Sequence, residues 1–266
     1  IVELLSASAL GIGVSLFIMN IMSTSASTST TSEGISQAQE TARLVSAWLQ
    51  EEVRRGGFQY EMDVFAPIAA VCAGGVAPPA AGANCSFETD DNGTGGDRLA
   101  IQRKVYNDAG SPARDSQTCA GAAIPAAVLG SANPIVTDVF WIEPNTGDTD
   151  PINDYSFRCV TYDNAGNVID SAQTIANGVE SLQVLYGLAS DTDQMTRFVS
   201  LDDLSPLDFE RVTSVRIGLL ARSFEDGAFD DAARAYLLLD SNPVQYNDSF
   251  SRFVQVSTVW FPNTEQ

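Results

Sequence analysis

Histidine is absent from the 266 residues. Its absence removes the usual general base near neutral pH, the commonest zinc ligand, and every Ser-His-Asp or Cys-His arrangement. Basic residues are scarce too: 14 Lys and Arg stand against 34 Asp and Glu, a formal net charge of −20. Binding to nucleic acid or anionic lipid needs Lys and Arg to meet phosphate, so this field argues against a nucleic-acid partner. It reads instead as a surface that keeps an exported protein soluble. Cysteine is limited to Cys72, Cys85, Cys119 and Cys159, none of them in a CxxC pair or another metal-ligand spacing. There is no Walker A loop, and no GxGxxG follows a strand. In so acidic a chain, carboxylates close in sequence do not single out a catalytic pair. These absences point away from an enzyme and from any cofactor.

What is present is enough for a folded protein. The chain is 44% apolar and 18% charged, in the range of globular domains and with a sizeable core. An even number of cysteines in an exported chain suggests two disulfides, for which three connectivities are open. Loop-closure entropy favours the local pair Cys72–Cys85 and leaves Cys119–Cys159. Two pairs of free buried thiols in a cytosolic protein are the alternative. Calcium is the one ion to weigh. Asp90 and Asp91, with Asn92, Gly93 and Asp97, supply hard oxygen ligands in a loop, as do Asp148, Asp150, Asn153 and Asp154, and Asp191 with Asp193. None matches EF-hand spacing, and solvated acidic loops explain them as well.

The first 22 residues, IVELLSASALGIGVSLFIMNIM, are nearly all apolar or small and carry a single charge, Glu3. At about 1.5 Å per residue such a helix crosses a bilayer. No basic region precedes it and no small-residue cleavage motif follows, unlike an ordinary signal peptide. A carboxylate in hydrocarbon costs several kcal/mol unless paired, so Glu3 calls for a partner or a place among headgroups. Residues 23–34 open with STSASTSTTS. Ser and Thr hydroxyls compete for the backbone, and this predicts a weak, partly unwound stretch, a flexible linker, or a site for glycans. Gly11 and Gly13 add a soft point. From Ile35 the apolar positions Ile35, Ala38, Ala42, Val45, Leu49 and Val53 step by three or four, drawing one stripe along a helix. Gln37, Gln39, Arg43, Gln50 and Glu51 fall on its other faces, and Gly56-Gly57 ends it with a glycine cap. From Ile1 to Arg55 the predicted helix is about 80 Å long. Its first half is apolar all round and its second half on one side only, a division that suits a filament subunit better than a soluble enzyme.

The opening IVELL resembles the start of mature type IV pilins and type II secretion pseudopilins. The segments ETARLVSAWLQEEVRRGGF, NGVESLQVLYGL and FERVTSVRIGLLARS resemble parts of PilW-type pilins, over about a third of the chain. The resemblance implies the type IV pilin fold, cleavage by a prepilin peptidase, and a single-pass inner-membrane protein whose globular domain is periplasmic before it enters an extracellular filament. It also implies as partners further copies of the chain or other pilins, together with the inner-membrane assembly machinery. In the family a glutamate at the fifth mature position pairs with the N-terminal ammonium of a neighbouring subunit. Glu3 takes that role here, with two residues and a short basic leader missing. The proline that many major pilins carry in this helix is absent, and Asn20 stands near its place.

After the helical domain, residues 1–56, the predicted globular domain, residues 57–266, turns to β character. Ala66 to Gly96 reads as a long stapled loop rich in Ala, Gly and Pro. Strand candidates are Arg98–Tyr106, Ile135–Ile142, Phe157–Tyr162, Val168–Ser171, Ser181–Tyr186, Val212–Leu220 and Arg252–Phe261. Asp163-Asn164-Ala165-Gly166-Asn167 is a hairpin connection between two of them. The aromatics, Trp141, Tyr155, Tyr186 and Trp260 among them, read as core and strand residues. The expectation is an α+β fold, one long helix packed on an antiparallel sheet. Its expected function is that of a structural filament subunit, in the shaft or at the tip. A type II secretion pseudopilin and a membrane-anchored adhesin that never polymerises are the alternatives.

Overall fold

In the computed structural model the described residues are 2–57, 66–68, 85–89, 95–106, 116–132, 134–145, 154–189, 195–205, 208–225 and 233–262. A single helix, α1 (Val2–Val53, 52 residues), runs about 78 Å at 1.5 Å per residue. It is continuous through Ser23–Ser32, where an unwound stretch was expected. The reason is that the hydroxyls serve the helix instead of opposing it. Thr24 and Thr28 donate to the carbonyls of Asn20 and Thr24 (2.9 Å each), and Thr30 to those of Ser27 and Ala26. At its end the helix tightens: the Arg55 and Gly56 amides bond three residues back, and Gly57 takes φ +69° and donates to the Gln102 carbonyl.

The described strands form two main sheets and a two-stranded ribbon, where one sheet was expected. The first is an antiparallel meander of β2 (Leu99–Lys104), β3 (Ile135–Pro144), β4 (Tyr155–Asp163) and β5 (Val168–Asn177). The second is built on β6 (Val179–Ala189), β8 (Val212–Arg222) and β11 (Arg252–Trp260), paired antiparallel in that order. On the outer edge of β6 lie the two-residue β1 (Gly95–Gly96), which is parallel to it, and β7 (Met195–Val199). A ribbon of β9 (Arg234–Tyr236) and β10 (Val244–Tyr246) and a short helix α2 (Ala126–Leu129) complete the described elements. The switch between sheets is made at Gly178, at φ +80°, where a Cβ would sit 2.6 Å from the Phe224 ring. Its amide bonds the Tyr155 carbonyl of the first sheet, while its carbonyl accepts the Arg222 amide of the second. One residue thus carries the chain across without leaving backbone groups unpaired.

The main core lies between α1 and the inner faces of both sheets and includes Val45, Leu49, Val53, Leu99, Ile101, Phe140, Phe157, Leu182, Val215 and Phe261. A smaller cluster, with Cys85, Val139, Trp141 and Tyr162, covers the opposite face of the first sheet. Trp260, expected among the core residues, is half exposed because its side chain leaves the outer face of β11.

Candidate functional site

The helix changes character at the domain boundary. Its apolar first half forms the only span among the described residues long and apolar enough to cross a membrane, and none of that window is buried inside the protein. Leu10, Ile12, Val14, Leu16, Phe17, Met19 and Met22 are all more than half exposed. Glu3 is exposed in the first turn, and among the described residues no side chain or backbone group pairs with its carboxylate.

The second half is seated on the domain. Ala38, Ala42, Val45, Leu49 and Val53 are at 1% exposure or less, while Ile35, at the top of the stripe, is 36% exposed. The small residues let the helix approach the sheet: a Cβ on Gly34 would come within 3.0 Å of the Ser251 hydroxyl. Ser46 meets Ser257 across the same seam at 3.2 Å. Gln37 differs from its expected place on an outer face, since its Oε1 accepts the Phe224 amide at 3.0 Å. Trp48 also turns inward, edge-on to Phe140 and Phe157 at 5.8 and 5.9 Å between centroids. Its position beside the 3–4 stripe is the one signal that marks it in the sequence.

At the C-terminal end of α1 a buried polar network fastens the helix to the first sheet. Glu52 pairs with Arg55, whose Nη2 donates to the Gln117 carbonyl at 2.8 Å. Arg103 of β2 donates to the same carbonyl (2.5 Å) and through Nε to Asp138 Oδ2 (2.8 Å). Thr161 donates to Asp138 Oδ1 (2.6 Å), and the Cys119 amide donates to Thr161 Oγ1 (3.1 Å). Arg103 and Asp138 are 2% and 4% exposed, and burial pulls the guanidinium below its ordinary value while Asp138 opposes that shift. Cys119 is joined to Cys159 of β4, with Cα atoms 6.4 Å apart and 40 residues between them in sequence. Cys85 is also disulfide-bonded; Cys72 lies outside the described residues. Nothing in the sequence distinguishes these buried charges from surface ones.

A second network binds β6, β8 and β11. Arg252 grips Glu180 through Nε and Nη2 (2.6 and 2.9 Å) and Asp248 through both Nη atoms (2.5 and 2.7 Å). Arg222 pairs with Asp154 at 2.7 Å.

Of the calcium candidates, Asp90, Asp91, Asp148, Asp150, Asn153, Asp191 and Asp193 lie outside the described residues. Asp97 is buried, and its oxygens accept the amides of Thr89 (3.0 Å) and Val184 (2.8 Å), so it acts as a strut between loop and strand. Burial, reinforced by the nearby Glu88, pushes its carboxyl up to about 8 against the pull of those two amides. Among the described residues no group of three or more Cys, Asp or Glu is gathered to hold a metal.

Residues 139–263, from within β3 to just past β11, match the family model of PilW, the type IV pilus-assembly protein W. Two of the resembling segments, NGVESLQVLYGL and FERVTSVRIGLLARS, fall inside that match; the helical segment lies outside it. A comparison with curated proteins gives no match. Among solved structures, a type IV-like pilin from Thermus thermophilus is similar at 15% identity and a TM-score of 0.47, over 86% of this chain and 98% of that one.

Proposed function

We propose that this type IV pilus-related, pilin-like chain of PilW type is a structural subunit that polymerises through α1. The apolar first half of the helix holds it in the inner membrane, with the domain on the periplasmic side, and then joins the helices of other subunits in an extracellular filament. The observation that carries this reading is the division of one continuous helix into an apolar half, exposed all round, and a half fixed to the domain. An exposed apolar surface of that size is not kept in water. Glu3 sets the register: its carboxylate pairs with the N-terminal ammonium of a neighbouring subunit, an ionic contact that specifies alignment more than it adds stability. Its partners are other copies or other pilins, with the inner-membrane machinery that loads them. The stripe from Ile35 to Val53 keeps the domain attached throughout.

The test is immunoelectron microscopy of filaments sheared from cells, using antibody against the domain, with wild type and Glu3→Ala side by side. Label along the fibres makes the chain a shaft subunit, and label at one end a tip or priming subunit. Wild-type levels of incorporation in Glu3→Ala would remove the register role. Absence of label from all fibres, with the protein retained in the membrane, would overturn the filament reading in favour of a pseudopilin or an anchored adhesin.

A further inference from the structure

The face of the first sheet that turns away from α1 carries a polar cleft of about 560 Å³ where β3 ends and β4 begins. Two rows of the ladder form it. Glu143, Ser156 and Asn177 are direct partners across β3, β4 and β5, and Trp141, Arg158 and Thr174 are partners in the next row. Beyond that row the same face turns apolar, with Val139, Val160 and Tyr162. Pro144 and Asn145 complete the lining among the described residues.

The charges lining the cleft cancel. Glu143 pairs with Arg158, whose Nη2 also donates to the Ala172 carbonyl at 2.8 Å. An anion would have to displace Glu143, and a cation would meet the guanidinium, so neither sign gains from entering. Hydrogen-bonding capacity, by contrast, is left over. The second carboxylate oxygen of Glu143 and the Thr174 hydroxyl have no bonding partner among the described residues. Ser156 gives its proton to Asn177 Oδ1 at 2.9 Å and keeps its lone pairs. Arg158 Nε is a buried donor without an acceptor. So is the indole Nε1 of Trp141, a side chain 4% exposed with its ring 6.0 Å from the guanidinium. Buried donors in native proteins are nearly always satisfied, so two orphans side by side call for an acceptor that the chain itself does not supply.

We propose that this cleft binds a neutral saccharide unit. Donors and acceptors are set across it at the strand spacing of about 5 Å and the same-face spacing of about 7 Å, comparable to the width of a pyranose ring. Each sugar hydroxyl both donates and accepts, which is what a mixed, charge-balanced lining needs. The volume holds about one or two sugar rings. A peptide strand is a poor fit, because β4 is an interior strand whose backbone is already paired on both sides. An acyl chain or aromatic ligand finds little in this lining to pack on beyond Pro144. The inference holds whether or not the chain polymerises.

The test is NMR titration of the full-length chain in lauryldimethylamine oxide micelles, a detergent without a sugar headgroup. The probes are methyl β-glucoside, methyl β-galactoside and cellobiose, with methyl β-glucuronide as the anionic control. At least one neutral probe is expected to give saturable shifts at the side-chain amides of Asn145 and Asn177 and at the Trp141 indole, with Kd on the order of 1–30 mM. The glucuronide is expected to bind at least about tenfold more weakly than the neutral glucoside. Thr174→Val, at an exposed position, removes one open hydroxyl and is expected to weaken neutral binding at least about threefold. Glu143→Gln releases the guanidinium and is expected to reverse the preference in favour of the glucuronide. Three results would overturn the proposal: no saturable shift with any neutral probe at about 100 mM, shifts confined to residues outside the cleft, or neutral binding unchanged in Thr174→Val. Glucuronide binding as tight as neutral binding in the wild type would also overturn it, by making the cleft an anion site.

Discussion

Replacing Asp138 by leucine removes the acceptor from a guanidinium that is 2% exposed. Arg103 would keep the Gln117 carbonyl but lose the carboxylate it is paired with. Breaking one side of a buried pair costs about 3–5 kcal/mol, so Asp138→Leu and Arg103→Met should each destabilise by that amount. The double variant should behave differently. Both charges are gone, the Gln117 carbonyl still accepts from Arg55, and the Thr161 hydroxyl loses its carboxylate acceptor and keeps the weaker Cys119 Sγ at 3.5 Å. A buried hydroxyl that exchanges a carboxylate for a weak sulfur acceptor costs at most about 1–3 kcal/mol, so the double variant should lose less than either single one or about the same. The implied coupling is about 3 kcal/mol or more. Urea unfolding of the four full-length proteins in detergent, followed by circular dichroism, measures it, with equal m-values as the check on a common unfolded state. Two single losses below about 1 kcal/mol, or a double loss equal to their sum, would refute the claim that this pair is buried and coupled.

Asp97 gives the domain a pH dependence of unusual sign. Folded, it holds its proton up to about pH 8; its ordinary value is 3.8. Its contribution is therefore complete below pH 4 and is lost as pH rises to 8, because the folded state binds the extra proton in that window. Urea midpoints measured from pH 4 to 8 should fall more steeply for the wild type than for Asp97→Asn; parallel curves would contradict the shift. Gly96→Ala should cost at least about 2 kcal/mol, since φ is +79° and the new Cβ would meet the Leu182 carbonyl at 2.1 Å, whereas Gly11→Ala, in open space, should leave the unfolding midpoint of the domain unchanged. Removing Cys119–Cys159 opens a loop closed over 40 residues, worth about 4 kcal/mol by chain entropy, readable as a drop in urea midpoint of the Cys119→Ala, Cys159→Ala double variant against wild type. Peptide mapping of the unreduced protein should recover Cys119 linked to Cys159 and Cys85 linked to Cys72.

The long helix is legible in the sequence because two periodic signals, an all-apolar run and a 3–4 stripe, follow each other in one segment. Strand positions are legible where large apolar residues alternate, as in Val215, Ile217 and Leu219, all buried on one face of β8. The division into two sheets is not, since it rests on the left-handed backbone of Gly178, and a glycine in sequence does not announce its φ. β9 and β10, three residues each, are too short to show a period. The Ser/Thr stretch misleads for a chemical reason: the hydroxyl that can compete with a helix can also bond the carbonyl four residues back inside one. The buried arginines are hidden for a different reason. Arg103, Arg222 and Arg252 each find an acid far off in sequence, 35, 68 and 72 residues away, and only the folded chain brings these together.

The seating of α1 has a geometric consequence for assembly. From Glu3 to Ala38, the first fully buried position of the stripe, the helix runs about 52 Å without a break. The apolar stripe along the seam and the bond from Arg55 to the Gln117 carbonyl at its end hold the domain against rotation about that axis. Each residue of a helix advances about 1.5 Å and turns about 100°. A slip of one residue in the contact at Glu3 would therefore move the whole domain little along the axis but swing it through more than a quarter turn. On the proposed reading, a single charge near the N-terminus fixes the orientation of more than 200 residues through rigidity alone, and no domain-to-domain contact is needed to specify it.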